Sequence, residues 1–370
     1  MEKLQQAATI FLFLSLISFL ANLSTAVAAT SRAVSVFGDS TVDVGNNNFL
    51  PSDAPKANFH PYGVDFPGRI PTGRFGNGFL AVDFVAHAAG IHRSPPPFLS
   101  LRNAVHARRG VNFASAGSGV LDTTGTDVVT MTQQIKDFST FAGNLRASRG
   151  ARSAAAFLSK SLFYVSVGSN DLFAISTVLI PGNSTQKDEI VAAVLGQFAG
   201  QLRSIYQLGA RKFAVIGTGQ LGCIPAVRSR VPGGACSPDL NDLSLRYQTA
   251  TRALLDQLAV ELKRFRFSFS DFFEIGSLIQ SDPQKYGEFY GAGSSVLWVG
   301  RGGAVHSQLY LLQRPETVFL LGRSPPVAGG LPAGSSAVVL RATPVCLPYQ
   351  HPQFAEELIR NLIYTVYQLC

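Results

Sequence analysis

Charge is scarce in this chain: Asp, Glu, Lys and Arg make up 15% of its 370 residues. Its surface must draw polarity from Gly, Ser, Thr and Asn instead. The formal balance is +8 and the isoelectric point is near 9.5, but no basic tract goes with it. Arg108-Arg109 and Arg228-Ser229-Arg230 are too short to track a phosphate backbone, so nucleic acid is not an expected partner. An acidic polysaccharide would attract such a protein, although a solvated face is the ordinary explanation. Long apolar runs are missing too. The run from Ala8 to Leu20 is too short to span a bilayer comfortably and no later stretch does better, which argues against a transmembrane anchor. No internal repeat is present, and no metal is expected. Asp stops early: none follows Asp282, and after Asn170 the only histidines are His306 and His351.

What the chain does contain begins with an export signal. Lys3, the apolar run and the small-residue site Ala26-Val27-Ala28 have the order of a cleaved leader, so residues 1–29 are expected to be a signal peptide. Four cysteines in an exported chain permit two disulfides. Cys223 and Cys236 flank a Pro/Gly-rich loop and make a natural pair, a clasp of roughly 3 kcal/mol by the chain-entropy model. Asn183-Ser184-Thr185 is a glycosylation sequon on a Pro-Gly-Asn turn. Hydrophobic residues at 46% allow a large core.

The organisation is alternating. Strand-like runs fall at Ala33–Phe37, Val111–Ala114, Ser161–Val167, Lys212–Ile216 and Arg266–Phe269. Helical patterns fall between them at Phe79–Ala89, Ile190–Leu208 and Leu243–Arg264. That alternation predicts a three-layer α/β fold with a mostly parallel sheet. The first strand ends in Gly38-Asp39-Ser40, a turn that presents Ser40 where open α/β sheets place their chemistry. A serine is a poor nucleophile alone, so oxyanion donors and a base must be found elsewhere. Asp39, adjacent to Ser40 in the turn, is expected to be structural rather than the acid of a triad. The segment Ala54–Gly78 is a long loop rich in Pro, Gly, Phe and Asn, a length usually tied to function. Gly217-Thr218-Gly219-Gln220-Leu221-Gly222 matches a dinucleotide fingerprint after a strand. That fingerprint needs a helix to follow it, whereas Cys223, Pro225 and a Pro-Gly-Gly loop follow here, so no cofactor is expected.

The block Phe37-Gly38-Asp39-Ser40-Thr41-Val42-Asp43-Val44-Gly45-Asn46-Asn47 resembles the opening of plant GDSL esterase/lipases, in the SGNH hydrolase superfamily. The likeness continues through Pro61–Phe66, Pro71–Gly78 and Val111–Gly119, then Val167-Gly168-Ser169-Asn170-Asp171 and Leu221–Pro225, and spans roughly residues 33 to 286. The resemblance implies a flavodoxin-like fold, hydrolysis of small-molecule, lipid or cell-wall esters, a monomer, and an extracellular location in the cell wall or apoplast. It implies Ser40 as nucleophile, with the Ser40 N–H, the Gly117 N–H and the Asn170 side chain as oxyanion donors. Family members commonly carry two glycines where this chain has Ala116-Gly117. A backbone donor survives that change provided Ala116 does not need positive φ. The alternative, of a different class, is a non-catalytic descendant that binds acyl or cell-wall esters.

The family closes its triad with Asp-x-x-His-Pro near the C-terminus, the His deprotonating the serine and the Asp orienting the His. This chain lacks that motif. His351-Pro352 is preceded by Leu347-Pro348-Tyr349-Gln350, so His351 is only a weak candidate base. From about Gly287 the composition turns to Gly, Arg, Val and Pro without periodicity, which sets residues 287–370 apart from a hydrolase domain at 30–286. Reading the implied codons from their second nucleotide changes the picture. Trp298 (TGG) followed by the G of Val299 forces a glycine, and Val296 to Trp298 permit Cys-Cys before it. In the same frame Leu321 to Gly329 permit Trp-Asp-x-x-His-Pro-Ser-Gln-Ala, with the His codon straddling Pro325 and Pro326. Two family blocks in one frame and in order point to a frameshifted or mis-spliced C-terminal segment. The other reading is a divergent tail, in which the pairing of Cys346 and Cys370 stays open.

Overall fold

The computed structural model describes residues 33–281, apart from 92, 103–106, 108 and 178. Four strands, β1 (Val34–Gly38), β2 (Leu162–Ser166), β3 (Lys212–Ile216) and β4 (Arg266–Ser270), form a parallel sheet in the order β1-β2-β3-β4. Their partners run in step, Val34 opposite Leu162, Leu162 opposite Lys212 and Lys212 opposite Arg266. The first three are short apolar runs rich in Val, Ile and Phe, the composition of strands covered on both faces, and β4, at the edge, alternates Phe with Ser and is partly exposed.

Side chains alternate between two cores. Phe37, Phe163, Val165, Phe213 and Val215 pack on one face against Phe138, Phe198 and Leu255. These come from α2 (Met131–Arg149), α5 (Ser184–Gln207) and α7 (Pro238–Glu261). Val34, Val36, Leu162, Tyr164 and Ala214 pack on the other against Val82, Val85 and Ala86 of α1 (Ala81–Ala88). Each large apolar side chain buried this way contributes about 1.5–3 kcal/mol. The remaining helices are α3 (Ala151–Lys160), α4 (Ser169–Ser176), the single turn α6 (Pro225–Arg228) and α8 (Phe272–Ser281).

The expected strand Val111–Ala114 falls short of one. It makes only isolated parallel bridges, Asn112 to Val36 and Asn112 to Pro97. It nevertheless lies along β1, with Val36 N–H donating to the Val111 carbonyl at 3.0 Å and Phe113 N–H to the Val36 carbonyl at 2.8 Å. Counting it, the chain order across the sheet is second-first-third-fourth-fifth, the flavodoxin-like arrangement, whose switch point lies beside the first strand. Two helices start earlier than their apolar periodicity suggests. Asn183 caps α5 by accepting the Gln186 N–H at 3.0 Å, and Ser237 caps α7 one residue before Pro238. Side-chain caps of this kind set a helix start independently of the apolar stripe.

The long loop has its own small core. Ala57, Tyr62 and Phe75 cluster with Ala116, and Lys56 Nζ donates to the carbonyls of Asn47 and Leu50. Its far end is pinned where Arg74 meets Asp83 of α1 in a buried, two-pronged pair at 2.9 and 3.0 Å. After β3, Cys223 and Cys236 are joined in a disulfide across the Pro/Gly loop. No helix among the described residues is long and apolar enough to cross a membrane.

Candidate active site

The carboxyl ends of β1, of the 111–114 segment and of β2 open side by side at the switch point. Ser40 follows β1, Gly117 follows the second of these and Asn170 lies in the first turn of α4, just after β2. Gly38 permits the close approach. Its φ is +141°, and a Cβ there would lie 1.9 Å from the Ser166 carbonyl oxygen of β2. The turn is then stitched down. Asp39 N–H donates to the Ser166 carbonyl at 3.1 Å, and the Asp39 carboxylate accepts the Thr41 N–H at 2.9 Å and hydroxyl at 2.7 Å. Asp39 therefore holds the turn, as expected for a structural acid.

The second loop is fastened to the first by side chains reaching backbone. Asp43 Oδ1 accepts the N–H groups of Gly45 and Asn46, each at 2.7 Å, and Oδ2 accepts that of Ala116 at 3.0 Å. Asn46 Nδ2 donates to the carbonyls of Asn112 and Ala114, and Asn47 Nδ2 to those of Pro55 and Ala116. Ala116 is not among the described non-glycine residues at positive φ; the turn falls on Gly117, at +92°. The exchange of glycine for alanine is thus accommodated without strain. The third loop is fastened through Asp171, whose carboxylate accepts the Val120 and Leu121 N–H groups and the Thr124 hydroxyl. Asn170 Nδ2 donates one N–H to the Ser118 carbonyl at 2.8 Å, which leaves its second N–H to point elsewhere.

The pattern of what is bonded and what is not decides the chemistry available. The N–H groups of Asp39, Thr41, Val42, Asp43, Ala116 and Ser118 all donate within the protein. Those of Ser40 and Gly117 donate to nothing among the described residues; both residues are half-buried, Gly117 between buried Ala116 and Ser118, Ser40 between buried Asp39 and exposed Thr41. Two unspent backbone donors and a fixed side-chain amide, on rigid turns, form a set suited to a developing oxyanion.

A family model described as GDSL-like Lipase/Acylhydrolase matches residues 34–299. The chain belongs to that GDSL family. It is 36% identical over 267 residues to GDSL esterase/lipase At5g37690 of Arabidopsis thaliana, covering 70% of this chain and 75% of the relative. It is 37% identical over 264 residues to GDSL esterase/lipase At4g16230 of the same plant, covering 68% and 70%. With GDSL esterase/lipase 7 it shares 35% over 266 residues, covering 68% and 71%. The family is one of carboxylic ester hydrolases, which suggests small-molecule esters as substrates. The matched span ends at 299, beyond the boundary at 286 read from the sequence and outside the described residues.

Burial dominates the electrostatics of this GDSL site. Desolvation pushes the Asp39 and Asp43 carboxyls up from 3.8 to about 6, against the hydrogen bonds that favour their charged forms. A folded pKa above the unfolded one means that these two groups favour the native state fully below about pH 4. That contribution is lost as pH rises through about 6. Asp171 is raised by the same cause. Asp43→Ala would leave three N–H groups, on Gly45, Asn46 and Ala116, without their acceptor. We expect it to cost about 3 kcal/mol of stability, read as a lower urea midpoint. An unchanged midpoint would remove Asp43 from the framework.

No described residue hydrogen-bonds the Ser40 hydroxyl, and His351, His306, Cys346 and Cys370 lie outside the described residues, as does the whole segment from Gly287 onward. The described residues contain no cluster of three metal-binding side chains. After β3 the Gly217–Gly222 stretch leads into short turns, with Gly222 N–H held by Asn241 Oδ1 at 2.7 Å. Asp43, Asn46, Asn47, Asn112 and Asp171 were quoted in the sequence motifs without roles. Their work is to bind backbone from distant segments, and no spacing in the sequence reports that.

Proposed function

We propose that this GDSL protein is an exported ester hydrolase in which Ser40 attacks the ester carbonyl. The Ser40 N–H, the Gly117 N–H and the free N–H of Asn170 Nδ2 then receive the tetrahedral oxyanion. The observation that carries this reading is the pair of unspent N–H groups on Ser40 and Gly117 at the switch point. Ser40 Oγ forms the acyl bond, the alcohol leaves with a proton from the base, and water then releases the acid. The base and its Asp partner lie, on this proposal, in the reading frame that restores Asp-x-x-His-Pro from the codons of Leu321 to Gly329. Residues 1–29 direct export, and Asn183 receives a glycan at the N-terminus of α5.

The test is Asn170→Ala in the frame-restored chain. Loss of one oxyanion donor is expected to lower kcat for p-nitrophenyl esters by roughly a hundredfold or more, with KM little changed. An unchanged kcat would remove Asn170 from the site. Saturable ester binding without any turnover by the frame-restored chain would favour the non-catalytic reading instead.

A further inference from the structure

Gln134 is wholly buried, and its side-chain amide takes the place of a missing strand neighbour at the mouth of the site. Along β1 the rungs run regularly, from Val34 N–H to the Arg109 carbonyl and from Val36 N–H to the Val111 carbonyl. The next rung calls for Gly38 N–H on the Phe113 carbonyl. Gly38 N–H goes instead to Gln134 Oε1 at 2.9 Å. Gln134 Nε2 returns a bond to the Gly38 carbonyl at 2.9 Å and also lies 3.2 Å from Ser118 Oγ and 3.0 Å from the Val129 carbonyl. One amide thus offers both an acceptor and a donor to the same backbone residue, as a neighbouring strand would.

We propose that Gln134 is the positioning residue of this active site, a wedge that accepts the Gly38 N–H in place of the Phe113 carbonyl while the Ser115 N–H stays on the Gly38 carbonyl at 3.0 Å. The inference rests on the reading of Ser40 and Gly117 given above. Gly38 stands two residues before Ser40, and Ser118 follows Gly117 and supplies the carbonyl that holds Asn170. Gln134 touches neither substrate nor reacting atoms. It fixes the distance between the nucleophile turn and the two other oxyanion donors, a spacing on which donor strength depends steeply. Without it the buried Gly38 N–H would have no partner among the described residues, whereas the Gly38 carbonyl would keep the Ser115 N–H and the Ser118 hydroxyl.

The wedge is testable by hydrogen exchange on the full chain as written, and by the rate at which a fluorophosphonate modifies Ser40 in the frame-restored chain. Gln134→Met keeps the shape and removes the amide. It is expected to lower protection at least tenfold in peptides covering 36–41 and 115–119, while β3 and β4 keep wild-type protection. Ser40 modification at pH 8, read by intact mass against a Ser40→Ala blank, is expected to slow about tenfold or more. Gln134→Glu is the conservative rescue. Its buried carboxyl, protonated at pH 5, has the donor and acceptor of the amide and loses the donor on ionising. Protection in those two peptides is therefore expected to match wild type at pH 5 and fall toward the Met variant by pH 8.5. Wild-type protection in Gln134→Met, or loss spread evenly over the sheet, overturns the wedge. Failure of Ser40 to react above the blank in the frame-restored chain with Gln134 intact would count against the nucleophile, and the exchange results would still decide the role of Gln134.

Discussion

Ser40→Ala is expected to reduce kcat for p-nitrophenyl butyrate by about a millionfold in the frame-restored chain, the scale on which removing the nucleophile of a serine hydrolase acts. The reason is local. Ser40 sits on a turn fixed by the Ser166 carbonyl and by the Asp39 carboxylate, beside N–H groups that bond nothing else. No other serine among the described residues combines those conditions: Ser115 and Ser118 are buried, with hydroxyls donating to Asn47 Oδ1 and to the Gly38 carbonyl. Gly117 and Asn170 remain in the variant, so the residue of activity should be the 10³–10⁴-fold over water that an oxyanion hole and binding give alone. The variant should fold as the parent does, because the Ser40 hydroxyl has no partner among the described residues. Hydrolysis at the parent rate by the purified variant, with a parent-like melting curve, would refute the assignment of Ser40.

What the sequence made legible, and what it hid, divides along a physical line. Strands β1, β2 and β3 were readable because each is a short, largely buried apolar run between turns, and β4, with an exposed Arg266, from its alternating Phe and Ser. Ser40, Gly117 and Asn170 could be put forward as candidates because each follows such a run in a motif with a familiar chemistry. Helix α2 was not anticipated. Its buried stripe of Met131, Gln134, Phe138, Phe141, Ala142 and Leu145 includes a polar residue and is set among polar neighbours, so its amphipathic period is faint. The same Gln134 that blurs the helix holds the mouth of the site. Asn46 and Asn112 were hidden differently: the side chain of Asn46 reaches the carbonyl of Asn112, 66 residues on, and that of Asn112 reaches back 70 residues to the carbonyl of Val42. A side chain that satisfies distant backbone has no sequence signature until the chain is folded.

Restoring the shifted frame is expected to have the second-largest effect. As written, the chain has no Asp after Asp282 and no Asp-x-x-His. Ser40 then remains a neutral hydroxyl near neutral pH, a weak nucleophile facing a competent set of donors. Loss of the histidine of a triad costs on the order of a millionfold and loss of the aspartate alone about 10⁴. Expressed literally, the chain should therefore show at most trace hydrolysis. The same chain read from the second nucleotide across the segment that follows residue 286 should gain at least about 10⁴-fold in kcat, with the gain abolished when the restored His is changed to Ala. Genomic DNA across codons 280 to 345 supplies the independent check. It should carry GAC across the Gly322–Arg323 junction and CAC across the Pro325–Pro326 junction. DNA that encodes neither, together with robust hydrolysis by the literal chain that His351→Ala abolishes, would reject the frame and make His351 the base.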